Sequence, residues 1–413
     1  HCISSAASDV YKRQTEQELP EVDALATIVK VEGMHRIADT FGPIPYVNYG
    51  SSSLYDALDL VYNKFFEELD NAIEVLSNYV NGNVDAKLMS DYDCVYGGDV
   101  EKWVKFANTL RLRLAIRVSY ANPTLAEAQA KKSMENMFGF IESKAERAEL
   151  SHNSLEYHHP LHEIAYNFNS GDCRPGATIV AYLNGLNDSR ISSYFTAADD
   201  GEYHGVRIGI TTSNMSNYQG NKISNLNINR ASTPVVWMTA AESFFLRAEG
   251  ALRGWDMGGT AKSFYEQGVR MSFEENNAAG VDDYLADHTS TPGAFADNVG
   301  SDNYTFSSRV TPAWDDNAGF EAQLERIITQ KWIANYPDGP EGWSEYRRTG
   351  YPEVIPVVRN SSNGTIDTQL QVRRLPYTRD EKINNASGVA SGISALGGQD
   401  TGGTKLWWDK KSR

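Results

Sequence analysis

Cysteine is scarce in this chain. Only Cys2, Cys94 and Cys173 occur in 413 residues, at spacings that match no zinc module. Cys94 and Cys173 read either as a disulfide or as two buried thiols. Positive charge is also short, with 38 Lys and Arg against 54 Asp and Glu and a net charge of −16. Nucleic acid is therefore excluded as an expected partner, because phosphate binding needs clustered cations and no basic stripe is present. Long apolar runs are missing as well. Stretches such as Val235-Val236-Trp237-Met238 are too short to span a bilayer.

Catalytic signatures are equally thin. Gly392-x-Ser394-x-Leu396 lacks the closing glycine of a nucleophile elbow. Gly398 and Gly403 precede Thr404-Lys405 in the wrong order for a phosphate loop, and Leu406-Trp407-Trp408 follows where a helix should receive the phosphate. His152, His158, His159 and His162 cluster beside Glu156 and Glu163, but in neither zinc-protease order and next to Pro160. They read as a solvated or partner-facing loop, since metal ligation needs fixed geometry. Carboxylates are abundant without forming a recognisable acid pair. Glu242 and Glu249, seven apart, share a helix face and are expected to pair with Arg247 or Arg253 or to face water.

What the chain has in quantity is aromatic surface, with 22 Tyr and 8 Trp. Such rings pair a flat apolar face with a polar handle and serve binding surfaces as well as cores. The first fourteen residues, HCISSAASDVYKRQ, stand apart. Ser4 to Gln14 resembles a translated sequencing adaptor of the transposon-tagging type, and residues 1–14 are expected to be an assembly artefact fused to a truncated gene. Cys2 is accordingly not expected to carry a lipid.

Helical periodicity organises the rest. A helix is predicted from Asp23 to Asp39, ended by Gly42-Pro43. Leu54, Leu58, Val61, Phe65, Leu69, Ile73 and Leu76 recur at steps of three and four and predict a second. Asp99 is placed to cap a third helix through Trp103, Leu110 and Val118, and Asn122-Pro123 breaks it before a fourth that starts at Thr124 and runs to about Met137. Helical texture returns at Val235 to Arg253, Thr260 to Glu275 and Glu321 to Tyr336, whereas the tail after Tyr351 reads as irregular. Phe245, Ala248 and Leu252 followed by Ala261, Tyr265 and Gly268 match the tetratricopeptide pattern. The expected fold is mostly α: a tetratricopeptide-like helical-repeat superhelix of about four helix pairs with long loop-rich insertions containing short strands. The pairs fall at about 23–80, 99–137, 235–275 and 321–350, and the insertions at about 138–233 and 276–319, in one domain over 15–413.

Five blocks carry a resemblance: RIADTFGPIPY (36–46), GDVEKWVKFANTLRLRLAIR (98–117), AAESFFLRAEGALRG (240–254), ERIITQKWIANYPDGPEGWSEYRRTGYP (325–352) and KLWWDKK (405–411). Together they resemble the SusD/RagB family of nutrient-binding outer-membrane lipoproteins of Bacteroidetes. The resemblance implies four tetratricopeptide-like pairs and a non-catalytic protein, lipid-anchored on the outer face of the outer membrane. It would capture an oligosaccharide, or in some members a peptide, for a SusC-like TonB-dependent transporter. By this resemblance the signal peptide, the lipid-bearing cysteine and the first stretch of the mature protein are expected to be missing from this sequence through the truncation. Block 325–352 is then expected to lock the last repeat, with Trp343 and Tyr346 against the helix pair and Arg347 and Arg348 on nearby carboxylates.

Sugar capture would fall to loop aromatics, since a Tyr or Trp ring stacks on the C–H face of a pyranose while polar side chains bind its hydroxyls. The candidates are Tyr46 and Tyr49 after the first helix, Tyr92 and Tyr96 before the third, and Tyr284, Tyr304 and Trp314 in the 276–319 insertion. No catalytic residue and no cofactor are expected. A structural Ca²⁺ at Asp199-Asp200 or Asp282-Asp283 is left open, as is a helical glycoside hydrolase as the reading from another class.

Overall fold

The computed structural model describes residues 18–411 apart from 84, 86, 151–158, 169–172, 211–215, 231 and 298–301. It falls into two compact units, His1–Ile141 with Arg373–Ser412, and Glu142–Val372, where the sequence suggests one domain.

The first unit begins with α1 (Pro20–Phe41), which carries Pro20 in its first turn and Glu21 and Asp23 beside the positive end of the helix dipole. It ends at Gly42, where a φ of +94° and an approach of 3.1 Å from an added Cβ to Leu406 would strain any side chain. α2 (Leu58–Gly82) buries Val61, Phe65, Leu69, Ile73 and Leu76 as the stripe predicts. Leu54, however, lies ahead of the helix and is 50% exposed. α3 (Val100–Arg117) starts where Asp99 accepts from Lys102 N at 3.3 Å, and α4 (Pro123–Glu135) where Asn122 accepts from Leu125 N at 3.1 Å. α1 packs on α2, α2 on α3 and α3 on α4, which gives two successive helix pairs.

A buried carboxylate ties this stack together. Asp39 of α1 accepts from Tyr62 Oη at 2.5 Å and from Trp408 Nε1 at 2.8 Å, and Arg117 Nε stands 3.2 Å away. A lone buried charge would be costly, so two hydrogen-bond donors from α2 and the C-terminal block and a guanidinium from α3 are what make it tolerable.

Among its described residues the second unit has four short strands, β1 (Ala148–Leu150), β2 (Phe195–Thr196), β3 (Asn225–Leu226) and β4 (Val235–Met238). β1 pairs with β4 and β2 with β3, both antiparallel. α5 (Ala177–Gly185) lies inside the insertion expected to hold only loops and strands. The alternating run at 205–210 forms no strand, and Val206 makes a single parallel bridge to Gly176.

α6 (Ala240–Leu252) and α7 (Ala261–Glu275) form the third pair, capped by Thr239 and Thr260. The helical texture expected from Val235 is therefore corrected: the β-branched run Val235-Val236 pairs with β1, and Thr239 starts the helix. Gly268 of α7 faces Phe245 so closely that an added Cβ would sit 2.8 Å from its ring, which is why the repeat pattern places a small residue there. α8 (Phe320–Ala334) and α9 (Gly339–Thr349) are the fourth pair.

Two further helices of the first unit, α10 (Arg379–Asn384) and α11 (Ala386–Leu396), occupy the tail expected to be irregular. α11 is rich in Ala, Ser and Gly and shows little apolar periodicity. It is held by the Asn385 cap and by Val389, packed against Tyr55 and Tyr377.

Candidate functional site

The segment between α1 and α2 is held by one side chain. Asp56 accepts from Tyr46 N at 2.9 Å, Val47 N at 2.8 Å and Asn48 Nδ2 at 2.9 Å, and its own N–H donates to Ile44 O at 2.9 Å. Four bonds through one residue, beside the turn bonds from Ser51 N and Ser52 N to Asn48 O, fix the loop. That loop sets the Tyr46 ring edge-on to Phe65 of α2, at 4.8 Å between centroids, with Lys30 Nζ 5.3 Å from the ring. Tyr46 Oη donates to Glu68, and Lys30 Nζ donates to the same carboxylate at 2.8 Å. Burial, then the Glu68 carboxylate, pushes the Tyr46 hydroxyl far above its ordinary range, so it stays a donor. Tyr49, at the turn, is 79% exposed.

Between these rings and the helix pair runs a groove of about 870 Å³, with Tyr46, Tyr49, Lys30, Lys64, Glu68 and Asn71 on its walls. Its volume falls in the ~300–1,000 Å³ of ligand clefts. Flat rings beside a polar wall of both signs can grip a guest by stacking and by edge hydrogen bonds.

Tyr92 and Tyr96 share a different loop. Asp93 organises it by accepting from Val95 N, Tyr96 N, Gly98 N and Trp103 Nε1, all at 2.7–3.0 Å. Tyr96 is half-buried edge-on to Trp103 at 5.3 Å, whereas Tyr92 is 78% exposed.

In the second unit Tyr304 is half-buried. Its hydroxyl donates to Glu353 at 2.8 Å and is pushed up to about 12 by burial and by that carboxylate. It lines a polar recess of about 550 Å³ with Tyr351 and Arg309.

Two expected platform residues are corrected. Tyr284 is 5% exposed, packed against Phe273 and the Arg190 guanidinium, and its hydroxyl accepts from Gln330 Nε2 at 2.7 Å. Trp314 is 7% exposed, lies 5.3 Å from Tyr265, and donates through Nε1 to Asp316 at 3.1 Å. Neither ring offers a face to a guest, because the 276–319 segment folds its large apolar groups onto its own unit. Sequence reasoning also missed Asp56, Asp93 and Glu68. The first two are short acidic side chains within loops, the usual device for capturing nearby amides, while Glu68 carried no signal.

Block 325–352 builds an interior lock within the second unit. Arg348 of α9 is fully buried and donates to both oxygens of Glu249 on α6, at 2.7 and 2.6 Å, and through Nε to Glu345 at 3.1 Å. Lys331 stands 2.9 Å from Glu341 and 3.5 Å from Glu242. Burial raises the pKa of Glu249, but Arg348 and Arg253 outweigh it and hold the carboxyl at about 2. Trp343 Nε1 donates to Val372 O at 2.8 Å, and the Arg347 guanidinium lies 3.5 Å from the Trp343 ring.

The remaining expectations have plain positions. Cys94 and Cys173 are free thiols, and Cys2 lies outside the described residues. So do His152, His158 and Glu156, while His159 Nδ1 accepts from Leu161 N at 3.2 Å and His162 stacks on Tyr166. Asp200 accepts from His204 Nε2 at 2.8 Å, and Asp282 pairs with Arg270 at 2.5 Å. Among the described residues no group of three His, Cys, Asp or Glu is arranged to hold a metal ion, and no helix is long and apolar enough to cross a membrane.

The chain matches the family model SusD-like, SusD and RagB outer membrane lipoprotein, over residues 1–409. No curated protein matches. Among solved structures, a chitin-binding SusD homologue from Flavobacterium johnsoniae is 41% identical with a TM-score of 0.92, covering 97% of this chain and 83% of that one. A SusD homologue from Bacteroides uniformis is 42% identical, TM-score 0.91, covering 98% and 85%. One from Bacteroides vulgatus is 38% identical, TM-score 0.90, covering 99% and 83%. With four helix pairs in the expected places and a family model matched along nearly its whole length, the chain belongs to the SusD-like family of outer-membrane lipoproteins, a family of binding proteins.

Proposed function

We propose that this protein is a glycan-capture lipoprotein on the outer face of the outer membrane, which takes up an oligosaccharide and delivers it to a SusC-like TonB-dependent transporter. The observation that carries the reading is the groove holding Tyr46 and Tyr49 beside Lys30, Glu68 and Asn71. A pyranose stacked on the exposed Tyr49 ring would meet donors and acceptors along the helix wall. The relative described as chitin-binding makes β-linked N-acetylglucosamine oligomers the first ligands to try. Tyr92 and Tyr304 extend the proposal as further sugar contacts, and Tyr96 acts through its neighbour. Capture on these terms forms and breaks no covalent bond and calls for no cofactor.

Isothermal titration against chitotriose, cellotriose and maltotriose, beside a panel of tripeptides, tests the reading. Binding of one oligosaccharide with no change in its chain length is the expected outcome. Binding confined to peptides would replace glycan with peptide capture, and shortening of the oligosaccharide, abolished by one carboxylate substitution, would make the protein a hydrolase. Co-purification of the full-length lipoprotein from membranes with a TonB-dependent barrel tests the delivery step, and its isolation without any barrel contradicts that step.

A further inference from the structure

The capture groove has a neighbour. Met34 of α1 and Pro45, which line it, also line a second hollow of about 270 Å³. The rest of its apolar lining is Ile37, Phe41, Ile44 and the rings of Tyr55 and Tyr377, which meet edge-on at 5.2 Å. Both tyrosine hydroxyls are already engaged: Tyr55 Oη donates to Glu381, and Tyr377 Oη to Pro43 O at 2.8 Å. Val389 and Ile393 back the rings. A guest therefore meets mainly apolar surface, with Thr378 and Glu381 as polar members of the lining. Ile37, although apolar, is 43% exposed there.

An apolar hollow holds water poorly, because water needs two to four polar partners. At about 270 Å³ its size suits a single ring. Continuity with the groove decides what fills it. Met34 and Pro45 line both spaces, so a guest lying along that wall of the groove has the hollow as its immediate neighbour.

We infer that groove and hollow together select a glycan bearing a compact aryl substituent, which seats among Ile37, Phe41, Ile44, Tyr55 and Tyr377 while the sugar lies on the tyrosine loop. The inference rests on the capture reading and narrows its substrate class. Burying one such group removes apolar area from water at both surfaces, and the gain is partly offset by the lost freedom of the substituent.

The test is titration of the wild-type protein with matched pairs, free and 4-nitrophenyl chitotriose, cellotriose and maltotriose, repeated with Ile37→Asp. The aryl form of the bound sugar is expected to bind about tenfold more tightly than the free form. Ile37→Asp is expected to erase that difference and leave the affinity for the free sugar unchanged. Equal affinity of both forms for the wild type overturns this inference and leaves glycan capture standing. A tenfold gain that persists in Ile37→Asp overturns it too, since the aryl group then binds elsewhere. Failure of all six probes to bind overturns the capture reading and this inference with it.

Discussion

Tyrosine and tryptophan do opposite jobs in this protein, and position within a loop decides which. Tyr49 and Tyr284 are both in segments between helices. Tyr49 follows a turn pinned by Asp56 and keeps its ring in solvent, whereas Tyr284 sits in a helical turn that lays it on Phe273 and Arg190. Tyr49→Ala is therefore expected to lower glycan affinity about tenfold, one stacked ring's worth, with little change in Tm. Tyr284→Ala should destabilise the fold by about 3–5 kcal/mol through the cavity it leaves. Titration and thermal melts on both variants check this; a stability loss for Tyr49→Ala matching that of Tyr284→Ala would refute the distinction. Composition exposes the surplus of rings but not their burial. Loop geometry here is set by single carboxylates such as Asp56 and Asp93, whose partners are mainly backbone amides and leave no trace in side-chain periodicity.

At the scale of elements, α6 and α9 are joined by charge and not by apolar packing alone. Arg348 lies between Glu249 and Glu345 with no solvent access. Arg348→Met leaves two carboxylates buried beside each other and is expected to cost about 3–5 kcal/mol in chemical denaturation. A cost under about 1 kcal/mol would show that the ion pairs are incidental. Glu275, the last residue of α7, accepts from Ala240 N at the start of α6 at 2.9 Å, and burial raises its carboxyl from 4.5 to about 7. The folded protein thus keeps a proton that the unfolded chain releases near pH 4.5. Folding takes up that proton between these values, so this group's contribution to stability falls as pH rises from about 4.5 to about 7, by about 3 kcal/mol in all. Glu275→Gln can still accept from Ala240 N and carries no charge. It should flatten that part of the stability profile and exceed the wild type at pH 8; an unchanged slope would contradict the assignment. Helices were legible where apolar residues recur over three or more turns, as in α2. α5 is too short for that signal, α11 too poor in large apolar residues, and Val235–Met238 needed its partner strand to reveal it as β4.

For the whole molecule, the repeat architecture was readable because each tetratricopeptide-like pair repeats the same packing requirement, seen in Gly268 against Phe245. The site was readable only in part. Seven rings were candidates: two proved interior, and only Tyr46 and Tyr49 share a wall, because the Asp56-tied loop and the Glu68 carboxylate join them to a helix pair that no local pattern connects to them. Division into two compact units was not foreshadowed either, since it depends on the return of residues 373–412 to the first unit. The central claim is that rings held on an irregular segment beside α1 and α2 grip a sugar without cutting it. The most direct measurement is equilibrium retention of wild type and of Tyr46→Ala/Tyr49→Ala on insoluble chitin and on the oligosaccharide that titration identifies. The account predicts that the wild type is retained and the folded double variant is not, with the glycan recovered at its original length. Equal retention of the two proteins, or a shortened glycan, would contradict it.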